Sequence, residues 1–96
     1  MLILRVLQSD ALHGYAMAQR IRVLSSEVLA VEEGFLYPTL QKMLLKGWVT
    51  ARWGVSETNR KVRFYELTRK GREQLKAELL DYNRFSKAIQ DVLRTA

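Results

Sequence analysis

The stretch EGFLYPTLQKMLLKGW, residues 33–48, decides the fold of this 96-residue chain. Leu36, Leu40 and Met43 follow the i, i+4, i+7 spacing that lines one face of a helix. The pattern therefore predicts a short helix with that face buried and the opposite face free. Gly47 continues the spacing at i+11 and is a helix stop, so the chain must turn sharply at this point.

A hairpin is predicted directly after this helix. Residues 49–53 alternate apolar and polar side chains, which is the period of a half-buried strand. The return strand is expected over residues 61–67, with Tyr65 and Leu67 facing inward, and residues 54–60 form a polar tip. A helix that runs into a strand and then into a hairpin is the element order of a winged helix-turn-helix.

Two helices are expected upstream of this stretch. The first covers residues 2–8, with its apolar side chains turned inward. The second covers residues 13–24, where Tyr15 and Ile21 lie on an apolar face, and it supports the later helix in a helix-turn-helix. The short β-branched run Val28–Val31 is predicted to pair with the hairpin as its third strand.

The excess of positive charge is concentrated on the predicted hairpin and the turn after it. The chain carries 16 Lys and Arg against 10 Asp and Glu, a net charge of +6 with a pI near 10.0. Such a charge attracts phosphate or an anionic membrane surface. A membrane-binding segment would set its cations beside an apolar face of one helix, so nucleic acid is the expected partner and a membrane is not. The cations of this region are Arg52, Arg60, Lys61, Arg63, Arg69, Lys70 and Arg72, against Glu57 and Glu66.

The composition excludes several other classes of function. The length allows a single domain with a modest core. There is no cysteine, so neither a disulfide framework nor a thiolate zinc site can form, and one histidine, His13, cannot build a metal site alone. It is expected to pack or hydrogen-bond locally at a helix start. No nucleophile–base pair, carboxylate dyad or glycine-rich phosphate loop occurs, so neither a cofactor nor an enzymatic activity is expected.

The first residues, MLIL, are apolar but do not form a long hydrophobic segment. Arg5 interrupts the run and Asp10 closes it. Neither a signal peptide nor a membrane span fits so short a stretch. The segment is therefore expected to be the first helix, and the cytoplasm is the default location.

The outward face of the helix at residues 33–48 is the expected DNA-reading surface. Gln41 and Lys42 carry an amide and an ammonium that suit base edges in the major groove, although on most helices such residues are only solvated surface. Tyr15 and Tyr37 are each open to two interpretations, a packed ring or a phosphate contact. The hairpin is expected to follow the phosphates or to enter the minor groove as a wing. The candidate DNA-binding residues are Tyr15, Phe35, Tyr37, Pro38, Thr39, Gln41, Lys42, Asn59, Arg60, Lys61 and Arg63.

The two ends of this reading helix carry further expectations. Glu32 and Glu33 complement the positive end of the helix dipole but repel a phosphate, so base edges are expected to be approached one or two turns further in. Pro38 removes one backbone donor, and a tight first turn or a slight kink is expected there. Leu44 and Leu45 are expected to pack against the wing or a neighbouring helix.

A long helix is predicted at the end of the chain. Thr68 is a helix cap, and no helix breaker follows Gly71, so one helix is expected from about Arg69 to Arg94. Six of its residues are spaced 4, 3, 4, 3 and 4 apart, a heptad seam broken only by Ser86. The first helix is too short to cover this seam, which is therefore expected to be buried against a second copy of the chain. The expected dimer interface comprises Leu75, Leu79, Tyr82, Phe85, Ser86, Ile89, Val92 and Leu93.

Three motifs of the chain resemble the PadR family of bacterial transcriptional regulators. They are HGY at residues 13–15, GFLYPTL at residues 34–40 and LTRKGR at residues 67–72, and they stand in the family's order over most of the chain. Phe35 departs from the threonine that is usual at its place in the motif. The resemblance implies a homodimeric winged-helix repressor of a palindromic operator, often relieved by a small phenolic or drug-like molecule.

These observations predict one architecture and leave two functions open. The fold class is mainly α with a small β-hairpin wing (α+β), with a winged helix-turn-helix DNA-binding domain at residues 1–67 and a dimerisation helix at residues 68–96 in one compact unit. The first function is a dimeric, sequence-specific regulator that represses adjacent genes and has a small aromatic or drug-like inducer. The alternative is a winged-helix module that binds another protein and not specific DNA.

Overall fold

The computed structural model describes residues 1–95, which form four helices and a three-stranded sheet. The helices are α1 (Leu2–Val6), α2 (Gly14–Leu24), α3 (Glu33–Leu45) and α4 (Arg69–Arg94), and the strands are β1 (Leu12–His13), β2 (Val49–Val55) and β3 (Lys61–Leu67). The sheet is antiparallel in the order β1-β3-β2, and β2 and β3 form the wing. The predicted fold class, a mainly helical winged helix-turn-helix with a small sheet, is confirmed.

Helix α3 forms where the spacing of its apolar residues predicts it, and it ends at a glycine turn. Gly47 has a φ of 75°, a left-handed conformation that glycine adopts without steric cost. The Gly47 N–H donates to the Leu44 carbonyl and the Trp48 N–H to the Met43 carbonyl, both at 3.0 Å, which is the bond pair of a Schellman helix end. The face predicted to be buried is buried, with exposed fractions of 1%, 0% and 4% for Leu36, Leu40 and Met43.

The hydrophobic core lies between the helices and the inner face of the sheet. Tyr65 and Leu67 face inward from β3, as predicted. None of the buried residues within positions 1–95 is polar or charged, so the core is held by apolar contact. Its buried members are Ile3, Leu4, Val6, Leu7, Leu12, Met17, Ile21, Leu36, Leu40, Met43, Val49, Tyr65, Leu67 and Leu75.

The third strand of the sheet is not the one that the sequence pattern indicated. Residues 28–31 form no strand and are mostly exposed. The free edge of β3 is occupied by β1, with Leu12 opposite Tyr65, so no edge remains for another strand there. Before residues 28–31, Ser26 and Glu27 have φ values of 52° and 70°, and these left-handed conformations turn the chain away from an extended path.

The buried face of α2 includes Ile21, as predicted, but not Tyr15. Gly14, Met17 and Ile21 are buried, whereas Tyr15 is 65% exposed, so the interpretation of Tyr15 as a core aromatic is wrong. The cause is a close approach between helices: a β-carbon on Gly14 would lie 3.2 Å from the Tyr37 ring. Because glycine has no side chain, α2 can turn this position towards α3, and that sets the orientation of the whole helix.

The remaining expectations for α3 have different outcomes. Leu44 is partly buried and packs against the core, as predicted. Leu45 is 83% exposed, so its predicted packing is wrong. Successive residues of a helix point about 100° apart, and the turn that buries Leu44 directs its neighbour outward. Pro38 lies inside α3, and the helix continues past it to Leu45.

The Thr68 side chain and its backbone connect three elements at one point, which we call the Thr68 junction. The Thr68 hydroxyl accepts a hydrogen bond from the Gly71 N–H at 3.0 Å, which confirms the predicted cap of α4. The same hydroxyl donates to the Gly47 carbonyl at 2.7 Å. The Thr68 N–H donates to the Trp48 carbonyl at 3.0 Å. The end of α3, the entry to β2 and the start of α4 are thereby joined.

Helix α4 extends well beyond the core. Its 26 residues span roughly 39 Å at 1.5 Å each. Leu75 is 2% exposed and Leu79 packs against the core, but the large apolar side chains from Leu80 onward are exposed. Within residues 1–95, no helix is both long and apolar enough to cross a membrane.

Candidate nucleic-acid interface

The outward face of α3 presents a mixed aromatic and polar surface. Phe35 and Tyr37 are 64% and 49% exposed. Pro38, Gln41 and Lys42 are also exposed. The amide and the ammonium of the last two can therefore donate hydrogen bonds to groups outside the chain. All five belong to the predicted DNA-binding set.

The first turns of α3 differ chemically from the turns that follow. Glu32 stands at the N-cap without a side-chain capping bond, and Glu33 is in the first turn. Their charges complement the helix dipole and oppose an approaching phosphate. Thr39 is half-buried, and its hydroxyl donates to the Phe35 carbonyl at 2.8 Å, so this predicted contact residue already uses its hydrogen within the helix.

A cleft of about 1190 Å³ separates the tip of the wing from α1, α2 and the start of α3. It gathers three of the predicted DNA-binding residues, Tyr15, Tyr37 and Arg60. Arg5 and Arg20 line its helical side, and sequence reasoning missed both because cations on helices are ordinarily solvated surface. The cleft thus lies between the start of the reading helix and the wing, and Glu33 and Glu57 line it together with the aromatic and cationic side chains.

The N-terminal end of α2 lies at the wall of this cleft. His13 caps the helix, since its Nδ1 accepts the Ala16 N–H at 3.3 Å, and this bears out the predicted local role. Its ring packs edge-on against Phe64, with 5.5 Å between centroids. The Tyr15 hydroxyl accepts a hydrogen bond from the Gln19 amide at 3.0 Å and keeps its own hydrogen for another acceptor. Within residues 1–95, no three side chains are grouped as a metal site would require.

The strand cations of the wing divide between its two faces. Side chains alternate along a strand, so Lys61 and Arg63 share one face with Trp53, while Arg52 and Phe64 share the other. The Lys61 Nζ and the Arg63 Cζ lie 5.2 Å and 5.7 Å from the centre of the Trp53 ring. The Arg52 Cζ lies 5.4 Å from the centre of the Phe64 ring. Sequence reasoning named Arg52 as a cation of the hairpin but did not predict these ring–cation pairs, because they become visible only with the strand register.

The tip of the wing is a tight polar turn. The Ser56 N–H donates to the Arg60 carbonyl at 2.8 Å, and Asn59 has a φ of 61°, a value that asparagine tolerates better than most residues. Strand β2 is longer than predicted, because residues 54 and 55 belong to it, whereas β3 covers the predicted residues 61–67. Among the predicted wing residues, Arg60 lines the cleft, whereas Asn59, Lys61 and Arg63 do not.

Comparisons with known proteins agree with this arrangement. The family profile described as "Transcriptional regulator PadR-like family" matches residues 3–77. The chain belongs to the PadR-like family. Members of the PadR-like family are DNA-binding transcriptional regulators and not enzymes. No curated protein sequence matches the chain significantly.

Solved structures share the PadR-like fold. A transcriptional regulator from Clostridium thermocellum is 23% identical with a TM-score of 0.85, over 94% of this chain and 87% of that one. A PadR family regulator from Clostridium difficile is 22% identical with a TM-score of 0.80, over 96% and 94%. PadR from Bacillus subtilis, solved in complex with operator DNA, is 26% identical with a TM-score of 0.71, over 81% of this chain and 44% of its own.

Proposed function

We propose that this PadR-like chain is a homodimeric, sequence-specific DNA-binding regulator that represses an adjacent transcription unit. The observation that carries the proposal is the exposed outward face of α3, whose first turns lie across the cleft from the tip of a wing that carries several cations. A helix of this kind fits the major groove, and cations beside it fit the flanking phosphates. The complex of Bacillus subtilis PadR with operator DNA supports the same assignment.

The proposed contacts divide into base readout and backbone binding. Gln41 and Lys42 lie in the third turn of α3, beyond the repulsion of the two glutamates at its start, and donate to base edges. Tyr15 and Tyr37 direct hydroxyl groups to phosphates at the cleft, and Arg60 adds a cation from the wing. The full set of proposed DNA contacts is Tyr15, Phe35, Tyr37, Pro38, Thr39, Gln41, Lys42, Asn59, Arg60, Lys61 and Arg63.

Dimerisation is proposed from the uncovered part of α4. The chain itself covers Leu75 and Leu79 but leaves the apolar side chains further along the helix exposed. A contiguous apolar surface of this length is unusual on a soluble monomer, and a second copy packed isologously would bury it. Residues 1–67 are then the DNA-binding domain and residues 68–96 the dimerisation helix. Beyond Leu79 the proposed interface comprises Tyr82, Phe85, Ser86, Ile89, Val92 and Leu93.

The proposed dimer implies the symmetry of the operator and offers a place for an inducer. Two reading helices related by a two-fold axis address a palindromic site, with half-sites about one turn of DNA apart or a multiple of it. Tyr82, Phe85 and Ala88 form a surface patch on α4, beside Asp81 and Arg84, that lies on the proposed interface. Two such patches that face each other across the two-fold axis would suit a small aromatic or drug-like inducer held between the two chains. A genomic operator would place the protein in the cytoplasm.

The test of this function is DNA binding over a range of salt concentrations. A fluorescent random-sequence duplex of about 24 base pairs accommodates two half-sites one turn apart. The logarithm of the association constant should fall against the logarithm of salt with a slope of about −0.9 per phosphate contacted. Binding-site selection should return a palindrome, and that duplex should be bound about a thousandfold more tightly than the random one.

Two results would separate the proposal from its alternative. A steep salt dependence together with a recovered palindrome supports a sequence-specific regulator. Binding that does not respond to salt, with no consensus after selection, would overturn it. That result would favour the winged-helix module that binds protein, because its positive charge would then serve an acidic partner.

A further inference from the structure

The wing places an aromatic ring opposite a cation on each of its faces. Trp53 on β2 stands opposite Arg63 on β3, and Arg52 on β2 stands opposite Phe64 on β3. On one face the ring is therefore on β2 and the cation on β3, and on the other face the cation is on β2 and the ring on β3. Direct cross-strand neighbours are the pairs that interact most strongly in an antiparallel sheet. Both faces consequently carry a cation that is held in place before any ligand arrives.

Arg63 is the most confined of these cations. Its guanidinium carbon lies 5.7 Å from the centre of the Trp53 ring and 5.8 Å from that of the Tyr65 ring. Its Nε is buried and has no hydrogen-bond partner within residues 1–95. A buried donor without a partner lowers stability, so an apolar side chain would suit the fold better at this position. The two ring contacts therefore hold the Arg63 guanidinium, while its unpaired Nε–H lowers stability.

Trp53 is unexplained by packing within the core. Val49 and Ala51, on the same face of β2, contribute to the core, but Trp53 lies beyond them and is 62% exposed. Its ring is covered in part by Lys61 and Arg63, whose charges are attracted to the aromatic face. The Trp53 ring therefore packs against these two cations and not against the core.

We propose that Trp53 is a positioning residue that holds Lys61 and Arg63 on one face of the wing, while Phe64 holds Arg52 on the other, so that both faces meet phosphates. This inference rests on the proposed DNA-binding function. A long cationic side chain loses rotamer freedom when it binds, and a ring that restricts it beforehand reduces that loss.

The dimensions of the wing support contact through both faces. A sheet with side chains on its two faces is about 10 Å thick, whereas the minor groove of DNA is about 6 Å wide. Only the tip of the wing can enter such a groove. The two faces then lie beside the two phosphate backbones that border it, where Arg52 and the pair Lys61 and Arg63 approach opposite strands of the duplex.

A double-mutant cycle on DNA binding tests the role of Trp53. The dissociation constant of a random-sequence duplex is measured by fluorescence anisotropy, with circular dichroism to verify the fold of each variant. Trp53→Leu should weaken binding about threefold to tenfold, and Trp53→Phe, which keeps a ring face, should recover most of the loss. In a Lys61→Met, Arg63→Met background, Trp53→Leu should have no further effect, because the cations that it positions are gone.

Two further backgrounds serve as matched controls. Arg60→Met removes a cation that faces the cleft and not Trp53, so Trp53→Leu should retain its full effect there. Arg52 lies on the opposite face of the wing from Trp53. The loss of DNA affinity caused by Arg52→Met should therefore add to the loss caused by Trp53→Leu, with no coupling between the two substitutions.

Two outcomes would overturn the inference while leaving the proposed function intact. One is a Trp53→Leu protein that binds the duplex as wild type does. The other is an undiminished loss in the Lys61→Met, Arg63→Met background, which would mean that the ring itself touches DNA. A wild-type protein that binds no duplex would instead overturn the proposed function, and this is seen before any variant is made.

Discussion

The carbonyl oxygen of Trp48 occupies the space into which a β-carbon on Gly71 would project. The Leu67 side chain crowds the same position, with a methyl carbon 2.7 Å away. The Trp48 carbonyl is backbone at the Thr68 junction, and the Leu67 side chain is part of the core. Displacing either of them would therefore cost free energy. Gly71 is therefore required by the close approach of the Trp48 backbone, just before β2, to the start of α4.

Gly71→Ala should lower the free energy of unfolding by about 2–3 kcal/mol, because the added methyl group separates α4 from the entry to β2. Urea denaturation at a fixed protein concentration measures the change. Gly34→Ala is the matched control, since no heavy atom lies within 4 Å of its β-carbon position and it is exposed on α3. That substitution should raise stability by about 0.5–1 kcal/mol. Equal stability of Gly71→Ala and wild type would mean that α4 can shift without cost.

Ile89→Glu should convert the proposed dimer into a monomer. In a single chain Ile89 is 45% exposed on α4, and a glutamate there would be buried near its own copy across the two-fold axis. Tight operator binding should be lost while the winged-helix core stays folded, as sedimentation velocity and circular dichroism would report. Gln90→Glu adds the same charge one residue along and should remain dimeric. A dimeric Ile89→Glu protein that binds DNA normally would refute this interface.

Gln41→Ala should relax sequence preference at one base pair of each half-site. The Gln41 amide is exposed on the outward face of α3, and a bidentate contact to adenine typically discriminates by about 1–3 kcal/mol. Lys42→Ala should do the same at a neighbouring position. Binding-site selection on each variant checks this, with Gln90→Ala as a control remote from α3. An unchanged consensus for both variants would show that other residues read the bases.

Arg60→Ala combined with Lys61→Ala should weaken binding to all duplexes to a similar degree. Both side chains are exposed on the wing and are expected to meet backbone rather than bases. The salt slope should become less steep by about 0.9 for each phosphate contact that is lost. Arg94→Ala removes a charge at the far end of α4 and should leave the slope unchanged. A loss confined to the selected operator would mean that the wing reads sequence.

Local sequence patterns predicted the elements that local interactions determine. The spacing of Leu36, Leu40 and Met43 and the glycine after them define α3, because its buried face and its Schellman end both depend on nearby residues. The third strand could not be found in this way. Leu12 pairs with Tyr65, which is 53 positions later in the chain, and a two-residue strand has no periodicity to detect.

The candidate site was predictable in part for similar reasons. The outward residues of α3 follow directly from its buried face, so Gln41 and Lys42 were assigned to the exposed side. The orientation of Tyr15 was missed because a pattern of hydrophobicity gives no weight to Gly14, whose close approach to Tyr37 orients α2. The pairing of Trp53 with its cations depends on strand register, which residue types alone do not specify.

The Thr68 junction fixes α3 and the wing to the N-terminal end of α4. The long helix therefore acts as a lever arm on both. Three hydrogen bonds connect these elements, so they should turn with α4 as one body. Over a length of roughly 39 Å, a rotation of about 5° around the far end of α4 displaces its near end by roughly 3 Å. Paired reading helices must match half-sites spaced about 34 Å apart. A ligand that changed the crossing angle of two α4 helices by a few degrees would therefore misalign both reading helices without touching any residue that contacts DNA.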